Sequence, residues 1–190
     1  MSDLVHPIKT TTLSDAWGVL QRHEFELKRR NGDWQHQIRE TYDRGDGAAV
    51  LLIDPSDKSV ILTRQFRYPA FYRGEMPMLI EVCAGKLDGD DPEGCARKEA
   101  AEETGFNVGK LEKAYDCFMS PGSVTERLTL FVATVEGRAS QGGGLADEGE
   151  DIEVIRLPFA EALKMIKSGE IADAKTILLL QYVALEGLFD

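Results

Sequence analysis

Between residues 17 and 43 two extended runs flank Asn31-Gly32, a dipeptide that tolerates positive φ, so the pattern predicts a long N-terminal β-hairpin. Two near-continuous apolar runs follow, Ala48-Ala-Val-Leu-Leu-Ile53 and Ser59-Val-Ile-Leu-Thr63. Asp54-Pro-Ser-Asp-Lys58 between them has turn chemistry, so this stretch reads as strand, turn and strand at the start of a buried sheet. Pro69, Gly74 and Pro77 break the next segment into a loop, and Met78-Leu-Ile-Glu-Val-Cys83 reads as a short strand ending at Ala84-Gly85. A helix is expected over residues 92–104, with an aspartate before it to cap free amides, Pro92 in the first turn and Gly105 to close it in the left-handed conformation. Strand character returns in Lys113 to Met119 and, beyond the Ser120-Pro-Gly-Ser123 turn, in Arg127-Leu-Thr-Leu-Phe-Val-Ala-Thr-Val135. A polar, glycine-rich loop from Gly137 to Gly149 leads to a further strand, Glu153-Val-Ile-Arg-Leu157. Helical spacing of Phe159, Leu163 and Ile166 places one helix over 159–167, and a second is expected over 176–188.

This mixed order of strands and helices, with no internal repeat, points to an α/β fold: a domain over residues 46–190 preceded by a β-hairpin arm over 1–45. At 190 residues the chain can bury a core without disulfides or structural metal. No apolar run approaches the roughly 18 residues of a membrane span, and the N-terminus lacks a basic region followed by an apolar one, which makes a cytoplasmic protein the simplest expectation. Cys83, Cys95 and Cys117 are odd in number and have no CxxC spacing, so they read as reduced thiols. A net charge of -11 argues against sequence-independent binding of nucleic acid.

That charge is concentrated. Residues 85–105 carry a net -4 and residues 145–153 a net -5, which leaves the rest of the chain nearly neutral. Within the first segment Glu99 and Glu103 are four apart, so a helix stacks both carboxylates on one face with Glu102 alongside. Like charges so placed repel by a few tenths of a kcal/mol per pair (about 0.2–0.5) unless something offsets them. Mg²⁺, a hard cation held by a few carboxylates together with substrate phosphates, would do so; a solvated acidic face is the bland alternative. An EF-hand loop is excluded: Asp88, Asp90 and Glu99 match its first, third and twelfth positions, but Pro92 replaces a ligand and Glu93 the required glycine.

The run from Gly85 to Gly105 resembles the Nudix hydrolase box, most closely at Arg97-Lys-Glu-Ala-Ala-Glu-Glu-Thr-Gly105. It is one residue shorter than the usual box, with Asp91 where glutamate is usual and Lys98 where arginine is usual. Further segments, among them Tyr42-Asp-Arg-Gly45, Arg64-Gln-Phe-Arg67, Cys83-Ala-Gly85, Ser120-Pro-Gly122, Glu150-Asp-Ile-Glu-Val154 and Ser168-Gly-Glu-Ile-Ala-Asp-Ala-Lys-Thr176, are similar to the GDP-mannose pyrophosphatase branch, whose box is also short.

The resemblance implies a Nudix α/β/α sandwich with a mixed sheet, and Mg²⁺-dependent hydrolysis of a nucleotide sugar, giving GMP and mannose 1-phosphate from GDP-mannose. ADP-ribose is the nearest alternative substrate, and a non-hydrolytic nucleotide-binding regulator the alternative of a different class. It further implies Ala84 (through its carbonyl), Glu99, Glu103 and Glu150 as metal ligands. By the same resemblance Glu102, Glu103 and Glu150 would form the catalytic set, with Glu150 as ligand or base. Arg67 and Lys175 would contact the diphosphate or sugar phosphate, with Ala84, Gly85, Lys86, Glu126, Gly149 and Glu150 at the substrate side. Trp17, Ile38, Arg39 and Glu40 match arm positions that contact the nucleotide sugar across a homodimer in this branch.

Gln141-Gly-Gly-Gly144 lacks the lysine and Ser/Thr of a P-loop and is expected to be a flexible loop, able to close on substrate and metal. His6, His23 and His36 lie in the N-terminal segment without a Ser or Cys motif and receive no catalytic role.

Overall fold

The computed structural model describes residues 3–74, 76 and 78–189. Its contacts divide the chain into two units: one comprises the chain up to Asp46 together with Phe118–Arg127, and the other Gly47–Cys117 with Leu128–Asp190.

The first unit is built on a three-stranded antiparallel sheet, β1 (Val5–Asp15), β2 (Val19–Lys28) and β3 (Trp34–Asp43), in that order. The β2–β3 hairpin turns at Asn31-Gly32 as expected, where Gly32 N–H donates to Arg29 O at 2.9 Å. Strand β1 was not among the expected elements, because its few apolar residues, Val5, Ile8 and Leu13, follow no two-residue period and the strand lies almost wholly exposed. Residues 118–127 join this unit through Tyr42, whose N–H donates to Ser123 O at 2.8 Å and whose carbonyl accepts from Thr125 N–H at 3.1 Å.

The second unit is organised around β4 (Gly47–Asp54), every residue of which from Gly47 to Ile53 is buried. It pairs antiparallel with β5 (Ser59–Phe66) and parallel with β9 (Arg127–Arg138). β10 (Glu153–Pro158) extends the sheet beyond β5, and β8 (Phe106–Phe118) beyond β9. The run expected as one strand, 78–83, breaks at Val82 into β6 (Met78–Glu81), which pairs with β5, and β7 (Cys83–Lys86), which pairs with β4. The segment expected as a loop contains a short helix, α1 (Tyr68–Tyr72), with Pro69 in its first turn.

Helix α2 (Pro92–Thr104) has the expected bounds. Asp91 caps it by accepting from Gly94 N–H at 3.0 Å, and Gly105 closes it at φ 73°. Its small residues Cys95, Ala96 and Ala100 pack against Ala48, Val50 and Leu52 of β4. The alternate residues Ala49, Leu51 and Ile53 point the other way, where α4 (Ala174–Leu185) packs on β4, and α3 (Phe159–Ser168) packs on β5 and β10. A helix packed on each face of this central strand explains why β4 reads as a continuous apolar run rather than an alternating one.

Candidate active site

The break at Val82 and the close packing of α2 on β7 together build the site. Glu99 lies directly against the backbone of Gly85: a Cβ at position 85 would collide with its carboxylate. One turn further along α2, Glu103 is 2% exposed, and its Oε2 has no hydrogen-bond partner. Burial, and then the charges of Glu99 and Glu150, push its carboxyl up to about 8, against the smaller opposing effects of Arg67 and a hydrogen bond with Cys83. The buried Cys83 thiol is itself pushed up, by burial first and then by Glu103. Glu102, on the same turn, is half-buried.

The glycine-rich segment after β9 is tied to this helix. Gly143 N–H donates to Glu103 O at 2.9 Å and Gly144 N–H to Glu102 O at 3.2 Å, while Ala139 N–H reaches Gly105 O at 2.7 Å. Gly142, Gly143 and Gly144 all have positive φ, and a Cβ on Gly142 would strike the backbone of Glu103 and Thr104. This half of the expected flexible loop is therefore strapped to the C-terminal end of α2. Beyond it a 3₁₀ turn, Ala146–Glu148, closes at Gly149 (φ 79°), and Glu150 folds back so that its Oε2 accepts from Leu145 N–H at 2.8 Å.

Arg67 and Lys175 meet at a carboxylate not anticipated from the sequence. Glu81, 2% exposed on β6, accepts a fork from Arg67 (Nε to Oε1 and Nη2 to Oε2, both 2.8 Å) and a third bond from Lys175 Nζ at 2.8 Å. Lys175 also donates to Asp173 Oδ1 at 2.9 Å, so the amine expected to meet substrate phosphate is buried between two carboxylates. Burial raises the Glu81 carboxyl, yet Arg67 and Lys175 outweigh it and hold the group at about 2. A single carboxylate in the apolar run Met78 to Cys83 was the available signal.

Lys86 is exposed on β7 and pairs with Asp88 at 3.3 Å. The remaining expected substrate residues belong to the first unit. Trp17 is 82% exposed, Ile38 and Glu40 lie exposed on β3, Arg39 donates to Ile38 O at 2.7 Å, and Glu126 pairs with Arg44 at 3.6 Å.

Among the described residues no group of three or more His, Cys, Asp or Glu side chains stands gathered as a ready metal cage. The donor chemistry nonetheless fits a hard divalent cation. A buried carboxylate oxygen is orphaned, two further carboxylates act on it, and all the donors are oxygen. Like charges so placed keep one carboxyl protonated until a cation offsets them.

Family models agree with this geometry. A model described as the GDP-mannose pyrophosphatase NudK N-terminal domain matches residues 5–42, and the NUDIX domain model matches residues 43–180. The chain belongs to the Nudix superfamily, in its GDP-mannose pyrophosphatase branch. Nudix relatives similar to it include a GDP-mannose pyrophosphatase of Pectobacterium atrosepticum, 51% identical over all of this chain and 98% of that protein. Another, from Salmonella typhimurium, is 49% identical over the full length of both. A solved structure described as an ADP compounds hydrolase superposes with a TM-score of 0.75 over 98% of this chain and 96% of the other; at 19% identity it speaks for the Nudix fold alone. Nudix hydrolases generally use divalent metal ions. No helix among the described residues is long and apolar enough to cross a membrane.

Proposed function

We propose that this chain is a Mg²⁺-dependent nucleotide-sugar pyrophosphatase that hydrolyses GDP-mannose to GMP and mannose 1-phosphate. The observation that carries the reading is the buried Glu103 carboxylate, orphaned at Oε2 on a helix face shared with Glu99. Carboxylates so placed serve a cation better than they serve a core.

Glu99, Glu103, Glu150 and the Ala84 carbonyl are the oxygen donors that would hold Mg²⁺. Bound there, the cation would neutralise the diphosphate charge and make its phosphorus more open to attack by water. Glu150, held by Leu145 N–H, either completes that donor set or orients a water and takes its proton as the water oxygen bonds to phosphorus. The bridging P–O bond breaks, and its electron pair leaves on the departing monophosphate. Glu102 is the further carboxylate of this catalytic set. Arg67, whose fork to Glu81 uses Nε and Nη2, offers Nη1 to a phosphate oxygen. Gly85, Lys86 and Gly149 line the substrate side, and Lys175 contributes its charge from behind Arg67.

Residues 1–45 form the arm of this reading, pairing two copies so that Trp17, Ile38, Arg39 and Glu40 contact nucleotide sugar across a homodimer, with Glu126 at the same side; residues 46–190 form the hydrolase domain. Exposed Trp17, Ile8, Leu13 and Ile38 on the first unit support a covering partner. Sedimentation should give a dimer; a fully active monomer would remove this part of the reading. A cytoplasmic location is supported by three free cysteines.

Rates on a panel of nucleotide sugars test the substrate. GDP-mannose is expected to exceed ADP-ribose in kcat/KM by at least ~10-fold, a difference of about 1.4 kcal/mol in transition-state binding. A preference for ADP-ribose would overturn the assignment.

A further inference from the structure

We infer that Glu81 is a positioning residue for diphosphate binding, which aims the guanidinium of Arg67 by holding two of its three nitrogens. The inference rests on the reading of Arg67 as a phosphate contact and deepens it.

The geometry is that of a mount rather than of a surface ion pair. Glu81 is 2% exposed and accepts three hydrogen bonds of 2.8 Å from two cations. Its fork engages Arg67 Nε and Nη2, which fixes the guanidinium plane and leaves Nη1 outside the fork. Arg67 is the outer member, with its side chain 39% exposed against 12% for Lys175. The mount is anchored behind. Lys175 Nζ also donates to Asp173, and Asp173 caps α4 by accepting from Thr176 N–H at 3.0 Å and from its hydroxyl at 2.6 Å. Thr176 Oγ1 in turn accepts from Val82 N–H at 2.8 Å, at the break between β6 and β7, two residues before Ala84. One chain of bonds thus runs from the helix terminus to Arg67 and to the strand that carries Ala84 and Gly85.

Removing charged partners from a buried set of balanced charges leaves the others uncompensated, so ion pairs buried for stability alone are weak devices. A set that ends in a half-exposed arginine beside the site has a use for its cost, since a phosphate gains most from a donor already oriented.

The test is a double-mutant cycle of Glu81→Gln and Arg67→Ala, read as KM and kcat for GDP-mannose and as the dissociation constant of GDP with Mg²⁺. Glu81→Gln is expected to raise KM and weaken GDP binding at least ~10-fold with Arg67 present, with a smaller change in kcat, and by less than ~3-fold in Arg67→Ala. Equal factors in both backgrounds, or no change in either, overturn the proposal. If Glu81→Gln fails to fold, the cycle is run with Glu81→Gln/Lys175→Met, which removes the uncompensated amine along with the charge, and the same outcomes decide. Wild-type protein that neither binds GDP nor turns over nucleotide sugar removes the site reading and the proposal together, an outcome distinct from additive losses.

Discussion

The carboxylate of Glu99 fills the space that any side chain at position 85 would need. Gly85 is not among the residues with positive φ, so its backbone accepts alanine and only the contact forbids it. Gly85→Ala is therefore expected to displace Glu99 while leaving the fold intact, and to lower Mg²⁺ affinity and turnover by at least the ~10–100-fold seen when a residue supporting a metal ligand is lost. Metal titration of turnover, with circular dichroism as the control for folding, checks it; unchanged affinity would separate Glu99 from the cation.

Glu103→Gln keeps the shape of the side chain and removes its charge. Turnover should fall by orders of magnitude, about 10²-fold or more, because an oxygen donor to the cation is lost. Without metal and above pH 8, where this orphaned buried carboxyl is charged, the variant should melt no lower than wild type, since a neutral amide takes its place. Near-normal turnover would remove Glu103 from the site.

The strap Gly142–Gly144 divides the acidic loop into two kinds of backbone. Amides of Gly143 and Gly144, bonded to the last turn of α2, should exchange slowly with or without ligand. Amides of residues 146–151 should exchange faster and become protected by substrate with Mg²⁺; uniform exchange across the loop would contradict the division. Gly142→Ala, which strikes Thr104 and Glu103, should cost roughly 1–3 kcal/mol, whereas alanine at Gly122, where nothing lies within 4 Å, should be near neutral.

Acid should dissect the Glu81 mount. Burial raises this carboxyl, but Arg67 and Lys175 bring it to about 2 from an ordinary 4.5, so between those values only the unfolded chain is protonated. The contribution of Glu81 to stability is complete above pH 4.5 and is lost as pH falls toward 2, at no more than about 1.4 kcal/mol per pH unit. Urea unfolding of wild type and Glu81→Gln between about pH 6 and pH 3 should show their difference shrinking with acid. A difference that stays constant would mean that the Glu81 charge is not the stabilising feature.

How much of this was legible in sequence follows from how local each signal is. Helix α2 announced both its ends, because Asp91, Pro92 and Gly105 act within one turn of themselves, and its Glu99 and Glu103 share a face by period alone. Strand β1 was silent, since Val5, Ile8 and Leu13 do not recur at alternate positions and most of the strand is polar. The glycine run suggested mobility where tertiary bonds to Glu102 and Glu103 impose order, and no local rule reports bonds to carbonyls about forty residues away. Lys175 and Arg67 were found as cations, but what they hold, Glu81, depends on the break at Val82 that brings three segments together.

Hydrolysis of GDP-mannose in ¹⁸O-labelled water with Mg²⁺, with products resolved by mass, shows whether water attacks phosphorus and which products leave. GMP and mannose 1-phosphate should form in equal amounts, with one ¹⁸O in the phosphate of one of them, because water attacks phosphorus and the bridging P–O bond breaks. Free mannose with GDP, or no label in either phosphate, would contradict it.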